Sequence, residues 1–203
     1  MAKKKVGELD LSTEEKIKEA AKKVFLKKGY AATRTRDIAD ESGINLALLN
    51  YYFRSKEKLF DLVMLEKLEK FFGAIAPVLN NAGTTLEQKI TLFSNNYIDL
   101  LLANPELPLF ILSEVNQAPE RFAHRLPVGK IVESHFIKQL QEKRPDVHPL
   151  HFLMNLLGMS VFPFIMKPIF NASGILNEKN FTARMEERKV LIPKWINAIL
   201  KVK

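Results

Sequence analysis

Cysteine is absent from this chain of 203 residues. Without a thiol, neither a disulfide framework nor a cysteine-ligated metal site can form. The sequence also lacks the phosphate-binding, nucleotide-binding, hydrolase and zinc-protease motifs GxxxxGK[ST], GxGxxG, GxSxG and HExxH. His148 and His151 lie three positions apart, but no further ligand of suitable type is close to them in sequence. These absences favour a protein that is not an enzyme and that needs no metal and no cofactor.

Targeting and membrane signals are also missing. Lys3, Lys4 and Lys5 lead into a polar segment, so we expect no signal peptide. The most apolar stretch, residues 152–165, contains Pro163 and is predicted to be too short to cross a bilayer. No internal repeat and no alternating strand pattern are found. We therefore expect a soluble, cytoplasmic, all-α protein with no membrane partner.

Positive charge is concentrated at the start of the chain. The formal net charge is +8, and residues 1–60 hold 14 Lys and Arg against 9 Asp and Glu. A basic region of this kind favours a polyanionic partner, although it does not identify one.

Two short helices joined by a tight turn are predicted within residues 33–59. Arg34 or Thr35 begins the first, and Gly43 ends it because glycine accepts the left-handed backbone of a helix stop. Asn45 caps the second helix, which runs to about Phe53.

The second of these helices has two unlike faces. Leu49 and Phe53 lie four residues apart and share an apolar face with Ile44. The opposite face presents Leu46, Ala47, Asn50 and Tyr51. Such a helix can enter a major groove. Aromatic residues in a row at the end of a helix more often belong to the hydrophobic core. The spacing does not decide which face of the helix carries Tyr52.

The chain divides into three predicted segments. Residues 1–10 form a basic flexible tail, which either solubilises the chain or reaches DNA phosphates. Residues 11–56 form a three-helix domain, whose first helix starts at Ser12 with a capping box to Glu15 and stops at Gly29. Residues 57–203 form a larger helical domain, and a helix from Lys56 to about residue 72 links it to the first.

The larger domain has candidates for a ligand pocket and for a dimer interface. An apolar pocket needs a few placed polar groups, and the candidates are Asn95, Asn96, Tyr97, Glu114, Asn116, Arg121, His135 and Asn155. The segment FLMNLLGMSVFPFIM is apolar nearly all round, which favours a partner subunit over a fully buried helix or a membrane surface. With the last helix it predicts a four-helix dimer interface that includes Phe152, Leu156, Met159, Phe162, Trp195 and Ile199.

The N-terminal motifs resemble one family. GY at 29–30, DIA at 37–39, GI at 43–44, YYF at 51–53 and SKEKLF at 55–60 resemble, in order and spacing, the DNA-binding domain of TetR-family transcriptional regulators. The resemblance covers about residues 14–62 and does not extend to the divergent ligand domain. It implies a homodimeric regulator, usually a repressor, that leaves a palindromic operator when a small-molecule effector binds.

The resemblance also implies which residues meet double-stranded DNA. The expected contacts are Thr33, Thr35, Arg36, Asn45, Leu46, Ala47, Asn50, Tyr51, Tyr52 and Lys56. Among them Thr33, Thr35, Tyr52 and Lys56 would contact phosphates. The chain departs from the family at Asn50, where tyrosine is common, and at Leu46, where a polar or basic residue is common. Asparagine can pair with adenine, and leucine and alanine can contact thymine methyl groups, so an A·T-rich half-site is predicted.

One alternative remains open. The chain can instead be a helical protein-interaction module whose helix-turn-helix is only a scaffold. The sequence does not name the effector, the operator, the regulated genes or the sign of regulation.

Overall fold

The computed structural model describes residues 3–117, 119–123 and 128–202. Within these ranges the backbone is helical with short connections, as the sequence predicts. The chain divides into two compact units, residues 1–70 and 71–203. The division falls later than the predicted boundary at residue 56, because the helical segment after Ser55 packs with the first unit as far as its π-helical turn.

The first unit contains four helices and one π-helical turn among its described residues. These are α1 (Lys3–Ala32), α2 (Thr35–Ser42), α3 (Leu46–Tyr52), α4 (Lys56–Phe60) and the π-helical turn Asp61–Leu65. Helix α5 (Glu66–Asn80) follows and crosses the division between the units.

The second unit continues with helices of very different length. These are α6 (Leu86–Ala103), α7 (Leu107–Gln117), α8 (Pro119–Ala123), α9 (Val128–Val132), α10 (His135–Lys143), α11 (Pro149–Ala172) and α12 (Glu178–Ile199). The all-α fold class is confirmed.

The start of α1 differs from the prediction. The structure has helix from Lys3, where a flexible tail over residues 1–10 was expected, and Ser12 therefore lies inside the helix and not at its cap. The predicted stop is present, because Gly29 has φ 74° and ψ 170°, a conformation that only glycine adopts readily.

The core of the first unit includes one face of α1. Its buried members are Ile17, Ala20, Ala21, Val24 and Phe25. Phe25 and Phe60 meet edge to face with ring centroids 5.0 Å apart, and the Tyr30 ring lies 4.8 Å from that of Phe60. These aromatic contacts join α1 to α4.

The core of the second unit is built mainly from α6, α11 and α12. Its large buried side chains include Ile90, Phe93, Phe136, Leu156, Phe164, Phe181 and Ile196. A polar cluster is also buried there: the ammonium group of Lys89 lies 3.0 Å from Nδ1 of His135 and donates to Oε1 of Gln139 at 2.9 Å. Burial lowers the pKa of Lys89.

Helix α11 is longer than the apolar segment predicted from sequence. It has 24 residues and is, by length and composition, able to cross a membrane, so the expectation that this segment is too short is wrong. Its buried residues Phe152, Leu156 and Phe164 pack into the core of the second unit. Helices α6, α7 and α12 pack against that face of α11.

Proline in α11 is compensated by an arginine on the next helix. Pro163 has no N–H, so it cannot donate to the carbonyl oxygen of Met159 one turn earlier. The guanidinium group of Arg188 on α12 donates to that oxygen from Nε at 3.2 Å and from Nη2 at 2.7 Å. Arg188 also lies over the ring of Trp195, 5.2 Å from its centroid. This contact fixes α11 against α12 at the point where the helical hydrogen bond is lost.

Candidate nucleic-acid interface

The beginning of α2 is fixed by its own side chains. The backbone N–H of Arg34 donates to the carboxylate of Asp37 at 2.8 Å. This hydrogen bond, followed by the ion pair with Lys28 at 3.0 Å, lowers the pKa of Asp37 below its ordinary value of 3.8. Thr35 is half-buried in the first turn and the side chain of Arg36 is exposed. The predicted start of α2 at Arg34 or Thr35 is confirmed.

The turn between α2 and α3 is a Schellman motif. The N–H of Gly43 donates to the carbonyl of Asp40, and the N–H of Ile44 donates to that of Ala39 at 3.1 Å. Gly43 has φ 70°, which a side chain with a Cβ adopts only with strain. This turn sets the direction in which α3 leaves α2.

Helix α3 is capped and anchored as predicted. Oδ1 of Asn45 accepts a hydrogen bond from the N–H of Leu48 at 2.8 Å. Leu49 and Phe53 are buried, which places the apolar face of the helix against the core of the first unit. The cap and the buried face leave the opposite side of a seven-residue helix for other contacts.

That opposite side carries most of the predicted base-facing residues. Ala47 and Asn50 are exposed, and Tyr51 is 77% exposed. Leu46 is only half-buried, so part of its side chain remains accessible. Tyr52, which the spacing did not assign to either face, is half-buried. Its ring meets the Tyr51 ring edge to face, with centroids 5.5 Å apart. Asn50 and Tyr51 are thus neighbouring exposed side chains on the outward face of α3.

Two predicted phosphate contacts have other partners in the structure. Thr33 is only 1% exposed, and its hydroxyl donates to the carbonyl of Gly29 at 2.6 Å. The ammonium group of Lys56 donates to the carbonyl oxygens of Tyr30 and Thr33. The prediction of a phosphate contact by the Thr33 side chain is therefore wrong, because that side chain completes the end of α1.

Sequence reasoning missed several exposed residues near these helices. Arg34, Arg54 and Lys58 are exposed, and Leu48 on α3 is 37% exposed. Arg34 and Arg54 directly flank the ends of the α2–α3 pair. Their position next to the helix caps is a signal that was available in the sequence.

The predicted ligand residues that the structure describes differ in burial. Asn96 and Asn155 are exposed, and His135 is held by Lys89. Glu114 is buried on α7, and burial raises the pKa of the half-buried Tyr97 to about 12. Exposed Asn116 completes the described candidates, while the side chain of Arg121 lies outside the described residues.

Asn95, another of the predicted pocket residues, has a buried amide oxygen. Oδ1 of Asn95 is buried and has no hydrogen-bond partner within the described part of the chain. Oδ1 of Asn197 on α12 is likewise buried without a hydrogen-bond partner among the described residues. Buried amide oxygens in folded proteins are normally paired.

The predicted dimer residues separate into two groups. Phe152 and Leu156 are buried in the core of the second unit, so their assignment to an interface is wrong. Phe162 is 58% exposed, Trp195 and Ile199 are also exposed, and Met159 is half-buried. Further exposed apolar residues on the same two helices are Leu150, Met154, Ile169 and Val190. The error arises because a helix that is apolar all round does not reveal which face is covered by its own domain.

Known proteins resemble the chain most clearly over the first unit. The sequence profile described as "Bacterial regulatory proteins, tetR family" matches residues 17–63. This segment contains α2, the Schellman turn and α3, together with the helices that support them. These residues match the DNA-binding domain of the TetR family.

Two curated relatives agree with this assignment. The chain is 33% identical over 86 residues to the HTH-type transcriptional repressor KstR2 of Mycolicibacterium smegmatis, a match that spans 42% of either protein. It is 25% identical over 166 residues to the protein named "Probable HTH-type transcriptional regulator YttP" of Bacillus subtilis, covering 77% of this chain and 79% of that one. The match to KstR2 thus spans less than half of that relative.

Solved structures extend the likeness beyond the matched segment. Salmonella enterica GusR superposes with a TM-score of 0.62 at 18% identity, covering 95% of this chain and 97% of GusR. At this identity the likeness concerns the fold alone. The chain therefore shares its fold with GusR over nearly its whole length.

Proposed function

We propose that this TetR-family protein is a DNA-binding transcriptional regulator that acts as a homodimer, reads a palindromic operator through α3, and is released by a small-molecule effector. The observation that carries the proposal is the two-sided α3: Leu49 is buried behind it, while Asn50 and Tyr51 are exposed in front. Repression is the expected sign of regulation, as in the name of KstR2.

The exposed face of α3 supports recognition of A·T pairs. The amide of Asn50 can accept from and donate to one adenine edge, and Ala47 and Leu46 can contact thymine methyl groups. Arg34, Arg36 and Arg54 are exposed beside the helix ends and are suited to phosphates, together with the first-turn N–H groups of α2. Base contacts and phosphate contacts thus come from different residues.

The homodimer is supported by the apolar surface of α11 and α12. Phe162, Ile169 and Val190 are each more than half exposed. Large apolar side chains grouped on two adjacent helices favour burial against a second copy, giving four helices at the interface. A twofold dimer presents two α3 helices, and an operator with two half-sites about 34–36 Å apart matches that symmetry.

The effector is proposed to bind within the second unit. Asn95 has an unpaired buried oxygen, Tyr97 keeps a largely buried hydroxyl, and Glu114 is a buried carboxyl group. A ligand that prefers a dimer with another spacing of the α3 helices lowers operator affinity by its differential binding energy, typically about 1–3 kcal/mol. A cytoplasmic location follows from a function on DNA.

Salt dependence tests the DNA-binding function. Binding of a random duplex of about 30 base pairs is measured by fluorescence anisotropy at several salt concentrations. Counterion release predicts that log K falls with log salt by about 0.9 for each phosphate contacted. An affinity that barely changes with salt would contradict DNA binding and favour the protein-interaction module.

A cross-link that fixes the distance between the two α3 helices of a dimer tests the effector mechanism. The chain has no cysteine, so Glu41→Cys at an exposed position of α2 gives one attachment point per chain. Once an operator and effector are known, a rigid cross-link between the two copies at operator spacing should abolish release. Full release from the cross-linked dimer would rule out a change of spacing.

A further inference from the structure

Lys56 makes a set of contacts that a DNA phosphate contact does not require. Its Nζ donates to the carbonyl oxygen of Tyr30 and to that of Thr33, each at 2.9 Å. The same ammonium group lies over the Tyr30 ring, 4.2 Å from the centroid. The side chain is half-buried and reaches back more than twenty positions in sequence.

The acceptors of Lys56 lie where the chain turns from α1 into α2. Gly29 interrupts the helical backbone at this point, and the N–H of Thr33 donates to Tyr30 at 3.3 Å. Carbonyl oxygens at the end of a helix carry partial negative charge and lack helical donors. A lysine ammonium satisfies both needs, since it offers several donors and a full positive charge.

The Tyr30 ring connects this contact to the core. It packs on Phe60 at 4.8 Å and lies 6.2 Å from Phe25 in a stacked arrangement. The ammonium group therefore rests on an aromatic ring whose own position is fixed by the core, where a cation–π contact is partly shielded from water.

The two ends of this contact bracket the helix-turn-helix. Thr33 lies two residues before α2 begins, and Lys56 is the first residue of α4, just after α3 ends. We propose that Lys56 is a positioning residue that closes the segment 33–56 and fixes the α2–α3 pair on the first unit. Its effect on DNA binding rests on the proposed function, but its effect on the unbound protein does not.

The substitution Lys56→Arg distinguishes a positioning role of this side chain from a phosphate contact. Lysine is a compact charge whose donors can reach two carbonyls and a ring at once, whereas guanidinium is a planar fork. Arginine binds phosphate at least as well as lysine does. A phosphate contact therefore tolerates Lys56→Arg, and the proposed clamp does not.

The first experiment uses the full-length protein without DNA. Lys56→Met and Lys56→Arg are compared with Lys58→Met, an exposed lysine on the same short helix, by thermal unfolding and amide hydrogen exchange. We expect both variants of Lys56 to lower Tm by about 4 °C or more and to speed exchange at the Thr33 amide about tenfold. The Lys58 variant should behave like the wild type. Unchanged Tm and exchange in both Lys56 variants would overturn the proposal.

The second experiment adds DNA. Affinity for a random duplex of about 30 base pairs is measured for the wild type and both Lys56 variants across a salt series. The clamp predicts weaker binding for both variants with the wild-type salt slope. Wild-type affinity in Lys56→Arg, or a slope lower by about 0.9 per chain in Lys56→Met, would assign a phosphate contact and overturn the proposal. If the wild type does not bind the duplex, the proposed function fails, while the DNA-free experiment still decides the clamp.

Discussion

The two units of the chain expose different kinds of surface. In the first unit Ile17, Phe25 and Leu49 are buried, and the outward face of α3 presents the amide of Asn50 and the phenol of Tyr51. In residues 71–203, α11 and α12 leave phenylalanine, tryptophan and aliphatic side chains exposed. The first surface suits a wet, charged partner such as DNA, and the second suits a dry partner such as another copy of the chain.

The difference shows how partner chemistry is distributed along one chain. Short helices with caps at both ends can place a few polar groups precisely, because each cap fixes the helix start or end. Long apolar helices have few such markers and derive their stability from area buried on both sides.

The largest effect on stability is expected from one of two neighbouring phenylalanines in α11. Phe164 is 1% exposed and Phe162 is 58% exposed. Phe164→Ala should lower the free energy of unfolding by about 3–5 kcal/mol, because it opens a cavity in the core. Phe162→Ala should lower it by less than about 1 kcal/mol at protein concentrations where the dimer dissociates. Denaturant unfolding across a concentration series measures both, and equal losses in the two variants would contradict the assignment of faces.

The next effect concerns DNA. Asn50→Ala combined with Tyr51→Ala should weaken binding of a selected operator by roughly 10- to 100-fold, since the bidentate pair of Asn50 with adenine contributes about 1–3 kcal/mol. Both side chains are exposed, so the thermal stability of the unbound protein should not change. The matched control is Lys27→Ala, an exposed residue of α1. Operator affinity equal to that of the control would remove α3 from the interface.

A smaller effect is expected where α12 supports α11. Arg188→Met leaves the carbonyl of Met159 without a donor and should cost about 1–2 kcal/mol of stability. Pro163→Ala restores the helical N–H, so Arg188→Met should cost less than half as much in that background. A double-mutant cycle by denaturant unfolding measures this coupling. Additive losses would show that the arginine does not compensate the proline.

The smallest effect is a pH dependence in the first unit. The folded pKa of Asp37 is lowered by the Arg34 backbone N–H and by Lys28. Its stabilising contribution is therefore complete above the ordinary pKa of 3.8 and is lost as the pH falls through the lowered value. Asp37→Asn should be less stable than the wild type at about pH 6, and the two should converge at about pH 2. A stability difference that does not change with pH would contradict this reading.

The first unit was predictable because its signals are local. Gly43 and Asn45 act on helix ends within three residues of themselves, and the spacing of Leu49 and Phe53 assigns one face of α3. The contacts of Lys56 could not be predicted for the opposite reason: its partners, Tyr30 and Thr33, are distant in sequence. No local pattern reports that a lysine contacts carbonyls of another helix.

The second unit was predictable in class but not in detail. Helical segments follow from periodicity, yet Phe152 and Phe162 look alike in a sequence that is apolar all round. Only the packing of α6 and α12 on α11 separates them. The contact between His135 and Lys89 could not be predicted either, because it joins positions far apart in the chain. Without that contact, His135 was a candidate for the pocket.

The most direct test of the division of labour is selection of bound sequences from a random pool of duplex DNA. The wild type is compared with Phe162→Glu, which places a charge on the exposed face of α11, and with the Asn50→Ala, Tyr51→Ala variant. The account predicts an A·T-rich palindrome for the wild type, single half-sites or weakened enrichment for Phe162→Glu, and no enrichment for the α3 variant. Enrichment of the same palindrome by all three proteins, or by none, would contradict it.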